Sequence, residues 1–197
     1  MKSMKWMGAL TVVLAVAIQG CALKPQYLHL DPEIDVTGES VAVDTLVGLS
    51  VRDSRTSKIL GEVGDPNNPN QGMVDVTLDE DFIPLITERV SEALEKRGFS
   101  VVPESEAMTR SLVIDISSLD LNSEKTPFNF QTELRAEVTA TAQNTNEQYE
   151  RRYYVRSYQE TAGPPFEKHS NQLVNDAVSN ALSDMLNDDN LFVMLAR

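Results

Sequence analysis

The sequence predicts an α+β domain: an antiparallel-rich mixed sheet with two long helices packed on one face. Two observations carry that prediction. Residues 129–143 alternate cleanly, with Phe130, Thr132, Leu134, Ala136, Val138, Ala140 and Ala142 on one side and Gln131, Glu133, Arg135, Glu137, Thr139 and Thr141 on the other, as a strand buried on one face requires. Two segments, 82–97 and 167–187, instead carry apolar residues at helical spacing, which buries one stripe of each against a neighbour.

The elements follow in order. Residues 41–53 (VAVDTLVGLSVRD) are rich in β-formers and read as a core strand. DPNNPNQG at 65–72 is a loop by its turn chemistry. MVDVTL at 73–78 is a short extended piece, and Asp79, Glu80 and Asp81 stand where a helix N-terminus favours acids. Phe82, Leu85, Ile86, Val90, Ala93 and Leu94 make the first stripe, stopped by Lys96, Arg97 and Gly98. Phe99–Val102 is a short strand, and 111–122 alternates with Leu112, Ile114 and Ile116 on one face.

Asn144–Glu147 turns the chain into a return strand, 148–160. Facing fixes its register to one parity. Ala136 is expected opposite Val155, Val138 opposite Tyr153, Glu137 opposite Tyr154 and Glu133 opposite Tyr158. Gly163-Pro164-Pro165 ends the sheet, the second helix follows, and the apolar tail LFVMLAR folds back on the domain.

Upstream, the chain divides further. Lys2 and Lys5 precede an unbroken apolar run, residues 8–18. That run is too short for a bilayer, which needs about 20 residues. It ends at Ile18-Gln19-Gly20-Cys21. A basic start, a short apolar run and small residues before a cut read as a secretory signal over 1–20, and the last four residues resemble a lipobox. Cys21 is then the lipidation site, because a thioether to diacylglycerol needs a thiol. The resemblance to lipoproteins implies three acyl chains, and at about 0.8 kcal/mol per buried methylene such attachment is lasting. Ala22 is not the aspartate that retains lipoproteins in the inner membrane. The expected address is the outer membrane, facing the periplasm of a Gram-negative cell. Residues 21–40, with two prolines and several acids, are expected to form the lipidated N-terminus and a flexible tether. Residues 41–197 form the single α+β domain.

Composition narrows the function. The chain has 197 residues and a formal net charge of −13, which disfavours nucleic acid as a partner. Cys21 is its single cysteine, so no intrachain disulfide or thiolate metal cluster can form.

At this point the residues resemble a known family. VRDSR at 51–55 followed by ILGEVG at 59–64, the helix end LEKRGFSVV at 94–102, ATAQN at 140–144 and the closing segment 175–197 resemble the YajG-type outer-membrane lipoproteins in order along nearly all of the chain. The resemblance implies an envelope lipoprotein family without an established activity. More loosely, the layout is similar to auxiliary lipoproteins of envelope transporters, at the level of fold.

Candidate chemistry is sparse. Arg52 and Arg55 could receive an anion with Asp53 orienting one of them, but a structural lock between Asp53 and Arg55 at the strand end is favoured. Arg152, Tyr154, Arg156 and Tyr158 share one face of the return strand at period two. They are the best candidate interaction surface, because Tyr and Arg are enriched at interfaces, although a plain solvated face with cross-strand pairs is the ordinary reading. Neither His29 nor His169 lies near a nucleophile in sequence. Asp184, Asp188 and Asp189 with Asn187 read as a solvated acidic helix end rather than a cation site. The expected function is therefore non-enzymatic, without cofactor or metal: a binding or adaptor domain whose partners are the membrane, through Cys21, and an unidentified envelope protein. The rivals are an accessory subunit of a transport system, a cell-wall or lipid hydrolase built around His169, and a carrier of a small ligand between sheet and helices.

Overall fold

A computed structural model describes residues 23–37, 39–68, 72–78, 82–105 and 108–197. The signal segment, Cys21, Ala22 and the acids Asp79, Glu80 and Asp81 lie outside the described residues.

Eight strands and three helices are described: β1 Gln26–Leu28, β2 Thr45–Asp53, β3 Ile59–Gly64, β4 Met73–Leu78, α1 Phe82–Lys96, β5 Phe99–Pro103, β6 Ser111–Lys125, β7 Phe130–Gln143, β8 Gln148–Thr161, α2 Glu167–Leu186 and α3 Asp189–Ala196. The main sheet is mixed, with order β5-β2-β6-β7-β8. Strand β2 runs parallel to β5 and β6, and β6, β7 and β8 form an antiparallel meander. Helix α1 packs on β2 and β5, α2 packs on β7 and β8, and the two helices touch. The α+β class and the helix-covered sheet agree with the expectation.

The register of the meander also agrees. Ala136 faces Val155, Val138 faces Tyr153, Glu137 faces Tyr154 and Glu133 faces Tyr158. The inward residues of β7, from Phe130 through Ala142, are buried at every second position. In β6 the inward row is Leu112, Ile114 and Ile116, then Leu119 and Leu121. The parity change sits at a bulge between Ile116 and Ser118, where an extra residue resets which side faces the core.

Three features differ from the expectation. Strand β2 starts at Thr45 rather than Val41. Asp44 takes a left-handed backbone, φ 48°, and the amides of Val41 and Ala42 donate to the carbonyl of Arg97 instead of to a strand. That crossing lies against Gly98, φ +93°, where a Cβ would stand 2.0 Å from the Ala42 carbonyl oxygen. Second, β1, β4 and β3 form a separate three-stranded sheet. Strand β3 passes the outer half of β6 so closely that a Cβ on Gly61 would meet the Leu121 carbonyl oxygen at 1.9 Å.

Third, the flexible tether expected over 21–40 is corrected for residues 26–37. After β1 the chain runs extended along α2 as a strap. The amides of His29, Asp31, Glu33, Asp35 and Thr37 donate in turn to the side chains of Asn171, Asn175, Ser179, Ser183 and Asn187 at 2.7–3.0 Å. The match is geometric: two extended residues advance about 6.6 Å and four helical residues about 6 Å. At the alternate positions, Leu28 and Leu30 are buried, and Ile34 and Val36 pack against the core. Arg89 of α1 reaches Asp31 at 3.0 Å, so the strap ties α2 to α1. Pro32 suits a segment whose alternate amides have no ladder partner to satisfy.

Candidate functional site

The outward face of β7 and β8 carries the residues expected to meet a partner. Arg152, Tyr154, Arg156 and Tyr158 are all exposed, on the side opposite buried Tyr153. They stand over an acidic row on β7. Arg152 pairs with Glu137 at 3.3 Å, Arg156 lies 3.7 Å from Glu133, and Tyr158 donates to Glu133 at 3.4 Å. Arg135 forks onto the same Glu133 at 2.8 and 3.2 Å, and this guanidinium holds the Glu133 carboxyl below its ordinary value, against the opposing effect of desolvation. Arg156 donates to the Tyr154 hydroxyl and lies 5.2 Å from that ring's centre. The result is a ladder of alternating aromatic and cationic groups on an exposed sheet face. It can offer hydrogen bonds and stacking area to another surface, and at one end Tyr158 borders a concavity shared with α2.

The Asp53–Arg55 pair lies at the end of β2. Arg55 donates twice to Asp53, from Nε at 2.7 Å and Nη2 at 2.9 Å, and its amide donates to the same carboxylate at 3.2 Å. These bonds hold the Asp53 carboxyl below its usual range, although burial opposes them. The guanidinium lies 5.2 Å from the Phe82 ring centre at the start of α1, and Ser54 donates to Asp115 at 2.9 Å. Arg52 turns away to Glu104 at 3.2 Å. The geometry is that of a clamp joining β2, β6 and α1, with the cation consumed internally.

A polar centre absent from the sequence reading forms around Asp188. Far from ending a solvated acidic helix, Asp188 is buried between α2 and α3. Its Oδ2 accepts from Tyr153 at 2.7 Å, Tyr149 at 2.9 Å and Arg151 at 2.9 Å. Its Oδ1 caps α3 by accepting the Asn190 amide at 3.0 Å. Desolvation would raise its pKa, but the bonds from Tyr153, Tyr149, Asn190 and Arg151 outweigh it and hold the carboxyl below the ordinary value. Burial, then the bond to Asp188, push the Tyr153 hydroxyl far up. Nearby, Arg97 is buried with its guanidinium 4.3 Å from the Phe192 ring centre. The signal for this centre was Tyr149, Arg151 and Tyr153 at period two on the inward side of β8, where polar tips need partners.

The histidines lie apart. The backbone of His29 belongs to the strap, and the His169 ring is tilted against Phe166 at 6.3 Å, its Nδ1 buried with no hydrogen-bond partner among the described residues. Among the described residues no group of three or more His, Cys, Asp or Glu could hold a metal ion, and no helix is long and apolar enough to cross a membrane. A concavity of about 580 Å³ between the strap, α2 and β8 is lined by Asp31, Glu33, Tyr158 and Asp176. It is open and acidic, so a carrier of an apolar ligand finds no support there.

No curated protein matches the chain. A solved structure of a DUF330 protein from Xanthomonas campestris aligns over 87% of this chain and 95% of its own, with 11% identity and a TM-score of 0.56, a likeness of fold. A solved structure of an uncharacterized protein aligns over 82% of this chain and 97% of its own, with 7% identity and a TM-score of 0.47. The model of a family described as uncharacterized lipoprotein matches residues 32–196, nearly the whole described domain, and the chain belongs to that family, Lipoprotein_16, which implies a lipid anchor and a place in the cell envelope.

Proposed function

We propose that this chain is a lipid-anchored adaptor of the YajG type, held by acyl chains on Cys21 at the periplasmic face of the outer membrane, without catalytic activity. In this reading the ladder Arg152, Tyr154, Arg156 and Tyr158 docks an envelope protein. The single observation that supports docking is the ladder itself: in a chain of net charge −13, three-quarters of its length from the anchor, cations and tyrosines gather on one exposed sheet face over Glu133 and Glu137. Tyr and Arg are enriched among the residues that carry most of an interface's binding energy. The outer-membrane address rests on Ala22 in place of a retention aspartate.

Photocrosslinking in intact envelopes tests the reading. A crosslinking side chain at Tyr154 or Arg156 is expected to give a discrete adduct with one envelope protein. The same group at exposed Asn146, in the β7–β8 turn, should not. Equal adduct patterns from all three positions would remove the sheet face as the docking surface.

A further inference from the structure

The strap places the anchor. Residues 26–28 are already a strand of the domain, and the Gln26 side chain donates to the Pro165 carbonyl at 2.8 Å. At most about 3.3–3.6 Å per residue separates Cys21 from Gln26, roughly 18 Å in all. From there the strap and α2 run side by side in the same direction. The end of the molecule at the start of α2 must therefore face whatever surface holds Cys21.

That end is unusual in composition. Four of the six phenylalanines are buried. The two exposed ones, Phe128 at 93% and Phe166 at 61%, both lie here. Phe166 immediately precedes α2 and shares a shallow concavity with Leu23, Pro25 and the exposed Lys24, Lys168 and Glu167, two cations to one acid. Phe128 projects from the β6–β7 turn at the same end of the sheet, where β7 and β8 terminate with Phe130 opposite Thr161. The turn is built rather than loose: Thr126 donates its amide to the Asn129 carbonyl at 2.8 Å, and the Asn129 side chain donates to Glu160 at 2.8 Å. Tyr27, 64% exposed, follows Gln26. Aromatic side chains with lysines beside them suit the headgroup region of a bilayer, whereas the acidic remainder of the chain does not.

We propose that this pole is a membrane-contact face, with Phe128 and Phe166 resting in the phospholipid leaflet that holds the Cys21 lipid and Lys24 and Lys168 at its phosphates. The inference rests on the lipid-anchor reading of Cys21. It makes the domain a flush-mounted body with a fixed orientation, its sheet ladder standing upright from the membrane.

The sole tryptophan of the chain is Trp6, in the signal segment, so Phe128→Trp, Phe166→Trp and, at the opposite end, Asn146→Trp each place one reporter in the processed protein. The full-length chain, expressed with its signal and purified after processing, is reconstituted into phosphatidylethanolamine–phosphatidylglycerol vesicles carrying nitroxide lipids. The reporters at 128 and 166 are expected to shift to shorter wavelength and lose emission to the quencher, and the reporter at 146 to do neither. All three positions are exposed, and circular dichroism checks that each variant folds. If 128 and 166 stay as wet and unquenched as 146 while mass spectrometry shows acylated Cys21, the contact face is wrong and the anchor stands. Shielding of 128 and 166 in native envelopes but not on vesicles assigns the pole to a protein and overturns the proposal. An unacylated chain that keeps its signal overturns both.

Discussion

Replacing Asp188 by alanine removes one carboxylate on which two elements depend. Tyr153 and Tyr149 each lose a charged acceptor, and α3 loses its N-cap. Hydrogen bonds to a charged group contribute roughly 1.5–3 kcal/mol each and a cap about 1 kcal/mol, which bounds the loss near 7 kcal/mol. The two hydroxyls share Oδ2, so their contributions do not add fully. The half-exposed Arg151 is screened by solvent and is left out of the figure. The expected loss is about 4 kcal/mol, a large share of a domain's total stability. Urea unfolding followed by far-ultraviolet circular dichroism measures it. In the double mutant with Tyr153→Phe, the second substitution should cost much less than it does alone, because its partner is already gone. A loss below about 0.5 kcal/mol, or full additivity in that cycle, would refute the view that this carboxylate joins β8 to α3.

Three further outcomes follow from the same geometry. The Asp188 carboxyl titrates below its ordinary 3.8 in the fold, so its contribution is complete above that value and lost as pH falls through the lower native one; Asp188→Asn should flatten the acid limb of a stability–pH curve in that window and leave its slope above pH ~5 unchanged. Gly61→Ala drives a Cβ into the Leu121 backbone oxygen, and denaturant titration should show a loss of about 3 kcal/mol, whereas alanine at Gly163, where a Cβ meets nothing within 4 Å, should leave the midpoint in place. Asn175→Ala removes the acceptor for the Asp31 amide and the donor to the His29 carbonyl; hydrogen exchange at Asp31 should quicken, with a net stability loss of about 1 kcal/mol after alanine's better helix propensity. Unchanged exchange there would mean that the Asn175 bond does not hold the strap at Asp31.

The meander was legible residue by residue because a period of two on β7 allows one parity, and the turn at 144–147 sets the pairing. Both long helices were legible from their stripes. The strap was not. Its own period of two is present, with Leu28, Leu30, Pro32, Ile34 and Val36 facing one way, but prolines and acids imitate a linker. The complementary signal sits some 140 positions away in the chain, in Asn171, Asn175, Ser179, Ser183 and Asn187 at four-residue steps. Neither half means much until a fold brings them together. Strand β3 was missed for a related reason: its glycines, weak strand formers, are there for close approach to β6 and Gly72. Asp188 looked like one acid among several because its three donors come from β8, and charge counting cannot separate a buried carboxylate from solvated ones.

The lipid at Cys21 carries both the proposed envelope address and the proposed orientation of the domain. Intact-mass spectrometry of the wild-type chain and of Cys21→Ser, each fractionated from whole cells, tests it directly. The wild type should begin at residue 21, carry the added mass of the acyl chains and sediment with outer-membrane vesicles, while Cys21→Ser should lose both the acyl mass and the membrane association. A Cys21→Ser protein still bound to the membrane, with the same modifications as the wild type, would contradict the anchor, and with it the orientation built on the strap.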